Sequence, residues 1–384
     1  MHNIKLFKKI DKHALGLFGA EYNISEDILE PDAILVRSAD MHAYNAPASL
    51  KAIARAGIGV NNIPVDACAE KGIVVFNTPG ANANAVKELA IASLLLASRD
   101  ILGGVAWART LTEDVAAAVE KGKGAFVGPE ITGKTLGLYG MGATGALTAN
   151  AGVGMGMEVI GVDPYMTVEN AMLLTRSVRR VYENRHLWEH SDYIVLHATL
   201  TNETRGIINK DSISHMKDGV RIVNLSRAEL VDDADMAAAL ESGKVAKYVT
   251  DFPNEAVLKM KNAIAIPHLG ASTPESEDNC AKMAVSQLRE YLETGNIRNS
   301  VNYPNLSMEH TAMLRVCLLH RNIPNIISQI SAVIGGYGIN IEHMTNRSRG
   351  DWAYTICEIN DTLPFGIEDA LIAIEGMVRI NVIR

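Results

Sequence analysis

The chain is poor in cysteine. Its 384 residues hold four, Cys68, Cys280, Cys317 and Cys357, and no two stand in a C-x-x-C spacing. That argues against a disulfide framework or a zinc site, so no metal is expected, and the four read as thiols in a reducing compartment. Long apolar runs are also missing, and none approaches 18 residues, so no membrane span is expected. The opening Met1-His-Asn-Ile-Lys-Leu-Phe-Lys-Lys9 does not read as a signal peptide, and cytoplasm is the expectation. There is no excess of positive charge, with 36 Lys and Arg against 44 Asp and Glu. Nucleic acid and anionic membranes are therefore not expected partners, and an anionic substrate needs a local cluster of Arg or Lys. Internal repeats and low-complexity tracts are absent too. What remains is an ordinary globular composition, 48% hydrophobic and 21% charged, long enough for two or three domains.

The most informative stretch is Gly137-Leu-Tyr-Gly140-Met-Gly142-Ala-Thr-Gly145. It follows a strand-like run, Lys134–Tyr139, and precedes a helix-compatible one, Ala146–Ala151. Glycines at 140, 142 and 145 fit G-x-G-x-x-G at a strand-to-helix turn. Gly140 permits the tight turn, Gly142 lets backbone approach a pyrophosphate, and Gly145 lets the helix pack on the strand. The pyrophosphate would lie on the helix N-terminus. A second strand-like run, Glu158–Val162, ends in Asp163, 18 residues after Gly145, where an acid can bond the adenosine ribose. An acid there repels a 2′-phosphate and argues for NAD over NADP. The glycine pattern alone is equally compatible with a bare βα turn; the strand, helix and acid around it favour the dinucleotide.

Before this fingerprint, strand-like Ala33–Arg37, Ile53 onward and Ile73–Phe76 alternate with helix-like segments, of which Ala83–Ala97 is the longest. After it, strand-like runs recur at Tyr193–His197, Arg221–Leu225, Tyr248–Asp251 and Ala263–Ile266. Such alternation predicts α/β architecture with two parallel sheets, the cofactor unit second. Ligands bind beyond the carboxyl ends of such strands, where His197, Ser226, Arg227, Asp251 and His268 sit. Residues 276–294 read as a helix and Gly295–Leu306 as a linker. The tail then reads strand Leu314–Leu319, helix Pro324–Val333, strands Ile339–Met344 and Ala353–Ile359, helix Ile367–Ile374 and strand Met377–Val382. That βαββαβ order predicts a small ferredoxin-like domain whose open sheet edge invites a second copy.

Three side chains suit hydride transfer from a 2-hydroxy acid. His268 can take the hydroxyl proton, Glu255 can orient that imidazole, and Arg227 can clamp the substrate carboxylate. Each also has a bland reading: a loop histidine, a solvated acid, and an arginine paired with Glu229 or Asp232.

From Arg37 to about Val301 the chain resembles the D-isomer-specific 2-hydroxyacid dehydrogenases, especially those oxidising 3-phosphoglycerate. The matching runs are Leu35-Val-Arg-Ser38, Arg55-Ala-Gly-Ile-Gly-Val-Asn-Asn62, Phe76-Asn-Thr-Pro79, Gly133–Gly137, Gly140–Gly145, His197-Ala-Thr-Leu-Thr201, the Arg227 stretch and Pro267-His-Leu-Gly-Ala-Ser-Thr273. The resemblance implies a flavodoxin-like doubly wound substrate domain of residues 1–98 and 269–302, with a Rossmann NAD domain, 99–268, inserted in it. It implies His268, Glu255 and Arg227 as the catalytic set. Met141, Gly142, Ala143 and Thr144 would contact phosphates, Asp163 the ribose, and Thr199, Leu225, Asp251 and Gly270 the nicotinamide side. Arg37, Arg55, Gly59 and Asn82 would bind the substrate. Activity on glyoxylate, hydroxypyruvate or 2-hydroxyglutarate, or a non-catalytic NAD sensor, are the alternatives.

The pattern departs from the family in three places. Arg227-Ala-Glu replaces Arg-Gly-Gly. The Asp-Val-Phe-x-x-Glu run is one residue short, so Thr250 or Asp251 takes the nicotinamide position. A basic residue before Gly133 has no match, leaving Lys121 or Lys123. The tail, residues 311–384, resembles an ACT regulatory domain. His320, Asn322 and Asn340 fall where serine-sensing versions hold L-serine, and paired domains imply a homodimer or homotetramer. Helix capping by Asn322 is the competing explanation.

Overall fold

The computed structural model describes residues 1–7, 10 and 12–384; residues 8 and 9 of the opening run lie outside them. The chain divides into two compact units, residues 1–81 with 277–384, and residues 82–276. In the first, β1 (His2–Phe7), β2 (Tyr22–Ser25), β3 (Ala33–Val36), β4 (Ala52–Arg55) and β5 (Val74–Phe76) form a parallel sheet in the order β2-β1-β3-β4-β5. β3 is buried at all four positions, as a parallel strand covered on both faces should be. Ala33 and Leu35 pack with Ala284 and Leu288 of helix Pro274–Thr294, while Ile34 and Val36 pack with Met41 and Leu50.

The second unit holds β6 (Thr135–Tyr139), β7 (Glu158–Val162), β8 (Arg179–Arg180), β9 (Tyr193–Leu196), β10 (Val220–Asn224), β11 (Val245–Thr250) and β12 (Ala263–Ala265). All are parallel, in the order β12-β11-β10-β9-β6-β7-β8. The chain runs outward from β6 to β8, then restarts beside β6 at β9. That reversal is where open α/β sheets bind ligands. The seams expected after residues 98 and 268 fall instead at 81/82 and 276/277. The reason is helix Ala83–Ser98, which packs on helix Ala143–Gly154, β10 and β11. Small side chains, Ala90, Ala97 and Ala149, line that core. Among the described residues no single helix is long and apolar enough to cross a membrane.

Gly295–Leu306, expected as a linker, is structured. The Asn302 amide works as a peptide group would: Oδ1 accepts from Val75 N–H (3.0 Å) and Nδ2 donates to Ile73 C=O (2.8 Å). Tyr303 Oη donates to Ala69 C=O (2.7 Å). The segment thus covers the edge of β5, which would otherwise present unpaired peptide groups. Beyond it, β13 (Leu314–Arg321), β14 (His343–Arg349), β15 (Trp352–Ile359) and β16 (Met377–Ile383) form an antiparallel sheet, order β14-β15-β13-β16. With helices Ile326–Gly336 and Ile367–Ile372 this is the ferredoxin-like βαββαβ arrangement. β14 starts at His343 rather than Ile339, because Ile339 is buried in the core beneath the connection. Cys317, Leu319, Tyr354 and Ile356 join the core of the first unit.

Candidate active site

The second unit's glycine loop sits at the β6/β9 reversal. Gly140 has φ +96°, and a Cβ there would lie 2.6 Å from the His197 carbonyl oxygen; only glycine fits. A Cβ at Gly145 would collide with the Gly140 carbonyl. Gly142 differs, since a Cβ there would meet nothing within 4 Å. It caps helix Ala143–Gly154, whose first-turn N–H groups have no preceding carbonyl to bond. Open space above Gly142, facing the positive end of a helix, fits a pyrophosphate. The two glycines should therefore fail differently. Gly140→Ala is expected to lose about 1–2 kcal/mol of stability through backbone strain. Gly142→Ala should melt like wild type yet bind NADH at least about tenfold more weakly, because its methyl enters the pyrophosphate space. Thermal melts and NADH fluorescence titration of both variants check this; wild-type NADH affinity in Gly142→Ala would remove the loop from the site.

Asp163 ends β7, but its carboxylate is turned to the loop: Oδ2 accepts from Met141 N–H and Oδ1 from Tyr165 N–H, both at 2.8 Å. Met141 is fully buried with its N–H so engaged, which leaves Gly142, Ala143 and Thr144 for phosphate contacts. Two neighbours have contacts that the sequence reading did not give them. Arg180 on β8 donates Nη2 to the Asp163 carbonyl (3.1 Å). The His197 ring, at the end of β9, meets Thr148 Oγ1 at 3.0 Å, and Thr148 donates to the Thr144 carbonyl (3.0 Å). Burial pushes the His197 imidazole down to about 4, so a neutral ring braces the helix behind the loop. Its signals in the sequence were its place, one residue beyond a strand, and the run His197–Thr201 that it opens.

The carboxyl ends of β10, β11 and β12 carry Arg227, Asp251 and His268. Arg227 is exposed, with Nη1 donating to the Ser226 carbonyl (2.6 Å). It does not pair with Asp232, whose Oδ1 caps helix Asp233–Ser242 through Ala234 and Asp235 N–H. His268 is exposed, its ring 4.7 Å from that of Phe252 and tilted 45°. Thr250 is fully buried; Oγ1 accepts from Phe252 N–H and its carbonyl from Ile266 N–H. Asp251 is therefore the residue at the strand end. It is 1% exposed, and Oδ2 accepts from Gly270 N–H (3.0 Å). Burial pushes its carboxyl above the usual range, opposed by the Gly270 hydrogen bond and by the charges of His268 and Arg227. Leu225 is buried beneath, and Thr199 is exposed.

Glu255 departs from expectation. Asn254 Nδ2 donates to Asp233 Oδ2 (2.8 Å), and its Oδ1 accepts from Ala256 and Val257 N–H. That turn, in a run one residue short, leaves Glu255 exposed, and among the described residues it has no bond to His268.

In the first unit Arg37 is exposed and ion-paired with Glu277 (2.5 Å). Arg55 ends β4 beside Gly57, where a Cβ would collide with its Nη1, and half-buried Gly59 follows. Asn82, in the second unit, is 8% exposed, and its Oδ1 has no hydrogen-bond partner among the described residues. Lys123 is paired with Glu120. His320 cannot face a ligand as expected. It is fully buried on β13, one ring nitrogen on the Arg321 carbonyl and the other on Thr355 Oγ1, both at 2.8 Å. Asn322 and Asn340 are exposed, bonded to the Gly350 carbonyl and Glu342.

Residues 91–270 match the family model described as D-isomer specific 2-hydroxyacid dehydrogenase, NAD binding domain. The chain is 32% identical over 340 residues to D-3-phosphoglycerate dehydrogenase of Methanocaldococcus jannaschii, covering 85% of this chain and 62% of that one. It is 39% identical over 267 residues to hydroxypyruvate reductase of Thermotoga maritima, covering 65% of this chain and 81% of that one. NAD+-bound 3-phosphoglycerate dehydrogenase of Entamoeba histolytica superposes with a TM-score of 0.61 at 27% identity, over 79% of this chain and 99% of that one. The chain spans 51% to 62% of the length of the curated phosphoglycerate dehydrogenases to which it is 32% to 35% identical.

Proposed function

The chain belongs to the D-isomer specific 2-hydroxyacid dehydrogenase family, and from that premise we propose that it oxidises 3-phosphoglycerate at C2 with NAD, giving 3-phosphohydroxypyruvate. The carrying observation is that Arg227, Asp251 and His268 follow the carboxyl ends of β10, β11 and β12, in a sheet whose reversal point leaves open space above Gly142 at a helix N-terminus. Gly142, Ala143 and Thr144 would hold that pyrophosphate. NAD, when bound, supplies the hydride acceptor. His268 accepts the 2-hydroxyl proton. Arg227 clamps the carboxylate, where a planar fork of donors matches two oxygens.

The phosphorylated substrate is supported by the names of the phosphoglycerate dehydrogenase relatives, and Arg37 and Arg55 would be its anion contacts by the resemblance. Hydroxypyruvate or glyoxylate is the second reading, favoured by the Thermotoga relative and by Glu277, which occupies Arg37. NADH-dependent reduction rates for phosphohydroxypyruvate, hydroxypyruvate, glyoxylate and 2-oxoglutarate separate the two. Arg37→Ala should raise KM for phosphohydroxypyruvate about 10–100-fold, the worth of charge-assisted hydrogen bonds, and leave the unphosphorylated acids unaffected. Equal rates with and without phosphate would discard 3-phosphoglycerate. The ferredoxin-like domain is proposed as a regulatory module that pairs with a second copy. L-Serine contacts would rest on Asn322 and Asn340, since His320 is enclosed.

A further inference from the structure

We propose that the buried carboxylate of Asp251, and not Glu255, is the positioning group that supports the charge of the His268 imidazole; this rests on the reading of His268 as the proton acceptor.

The argument begins with the short run Asp251-Phe-Pro-Asn-Glu255. Thr250 is consumed by local hydrogen bonds, so the chain leaves β11 at Asp251 with that side chain directed inward, 1% exposed. Further on, Asn254 is tied to Asp233 and caps its own turn, which commits Glu255 to solvent. The two segments that matter meet twice. Gly270 N–H bonds Asp251 Oδ2 at 3.0 Å, and the Phe252 ring lies 4.7 Å from the imidazole of His268. A Cβ on Gly270 would lie 3.1 Å from Asp251 Oδ2, so the loop carrying His268 closes tightly over this carboxylate.

One oxygen of Asp251 is thereby satisfied and the other is not. Oδ1 is buried and has no hydrogen-bond partner among the described residues. A buried carboxylate oxygen without a donor is costly and calls for a cation. The charged and titratable groups facing it are His268, Arg227 and the Tyr248 phenol on its own strand. Arg227 is committed to substrate in the reading above, and the phenol is held neutral by burial. The imidazolium is the remaining partner. Asp251 therefore takes the supporting role, whereas Glu255, four residues on, is exposed and has no bond to His268 among the described residues.

The test is the pH dependence of 2-oxo acid reduction by the full chain and its variants. An opposite charge close by favours the protonated imidazole, and reduction of a 2-oxo acid needs that protonated ring, so its rate falls towards alkaline pH. In Asp251→Asn that fall should come at lower pH, while in Glu255→Gln it should stay where it is in wild type. The reciprocal variant perturbs only an exposed ring: His268→Gln should raise the pH at which the Asp251 carboxyl titrates, read by carbon-13 labelling. An alkaline fall moved to lower pH by Glu255→Gln and unmoved by Asp251→Asn, or an Asp251 titration indifferent to His268→Gln, overturns the proposal. A chain that reduces no 2-oxo acid would instead defeat the dehydrogenase reading, and the Asp251 titration would still decide the Asp251–His268 pairing.

Discussion

His268→Ala should lower kcat for 2-oxo acid reduction by about 10²-fold or more, with NADH binding and thermal stability close to wild type. The size follows from losing a positioned proton donor, which general acid–base catalysis values at about 10²–10⁴. The selectivity follows from the structure. The imidazole is exposed and lies 4.7 Å from the Phe252 ring, so its removal leaves no cavity. Nothing in the glycine loop depends on it, because that loop is braced from behind by His197 and Thr148. Steady-state kinetics, NADH fluorescence titration and a thermal melt on the same preparation give the three numbers. Near-normal turnover in a folded, NADH-binding variant would take His268 out of the chemistry. A drop in melting temperature matching the loss of rate would make its role structural instead.

Much of the second unit was legible in the sequence because its physics is local. The glycine turn needs positive φ and backbone approach, and β6 and β7 are nearly unbroken apolar runs because both faces of a parallel sheet are covered. What was illegible depended on distant partners. β1, His2-Asn-Ile-Lys-Leu-Phe, mixes polar and apolar residues and went unread. The unit it belongs to is closed by helix Pro274–Thr294, whose Glu293 accepts from Tyr22 Oη at 2.6 Å. β14 is largely exposed and polar, so the buried Ile339 before it drew the boundary too early. His320 was read from motif spacing, yet strand alternation could have placed it. Leu314, Val316 and Leu318 share its parity and face the helices of the ferredoxin-like domain. The exposure of Glu255 was illegible for a subtler reason: it follows from the Asn254 turn, which is tied to Asp233 from a distant helix.

The same dependence on distant partners makes Arg315 a vulnerable side chain outside the site. Arg315 and Glu358 are both fully buried and paired at 2.5 Å. The guanidinium also donates to the Thr294 carbonyl (2.5 Å), Asn296 Oδ1 (3.2 Å) and the Met308 carbonyl (3.0 Å). It thus knots the end of helix Pro274–Thr294 and the segment after it to β13 and β15. Burial alone would push the Glu358 carboxyl up, but Arg315 and Thr311 outweigh it and hold it below the usual range. That stability is present above the unfolded carboxyl pKa and is lost as pH falls through the lower folded one. Arg315→Ala strands a buried carboxylate and should cost about 3–5 kcal/mol, the range for breaking a buried pair. Lysine should not rescue it, since one ammonium cannot replace the fork. The paired change Arg315→Met with Glu358→Leu removes both charges and should recover most of the loss. Denaturant melts of the two single variants and the double, read as a cycle, measure the coupling. Arg315→Ala losing under about 1 kcal/mol would show an exposed-pair energy and contradict the burial of this knot.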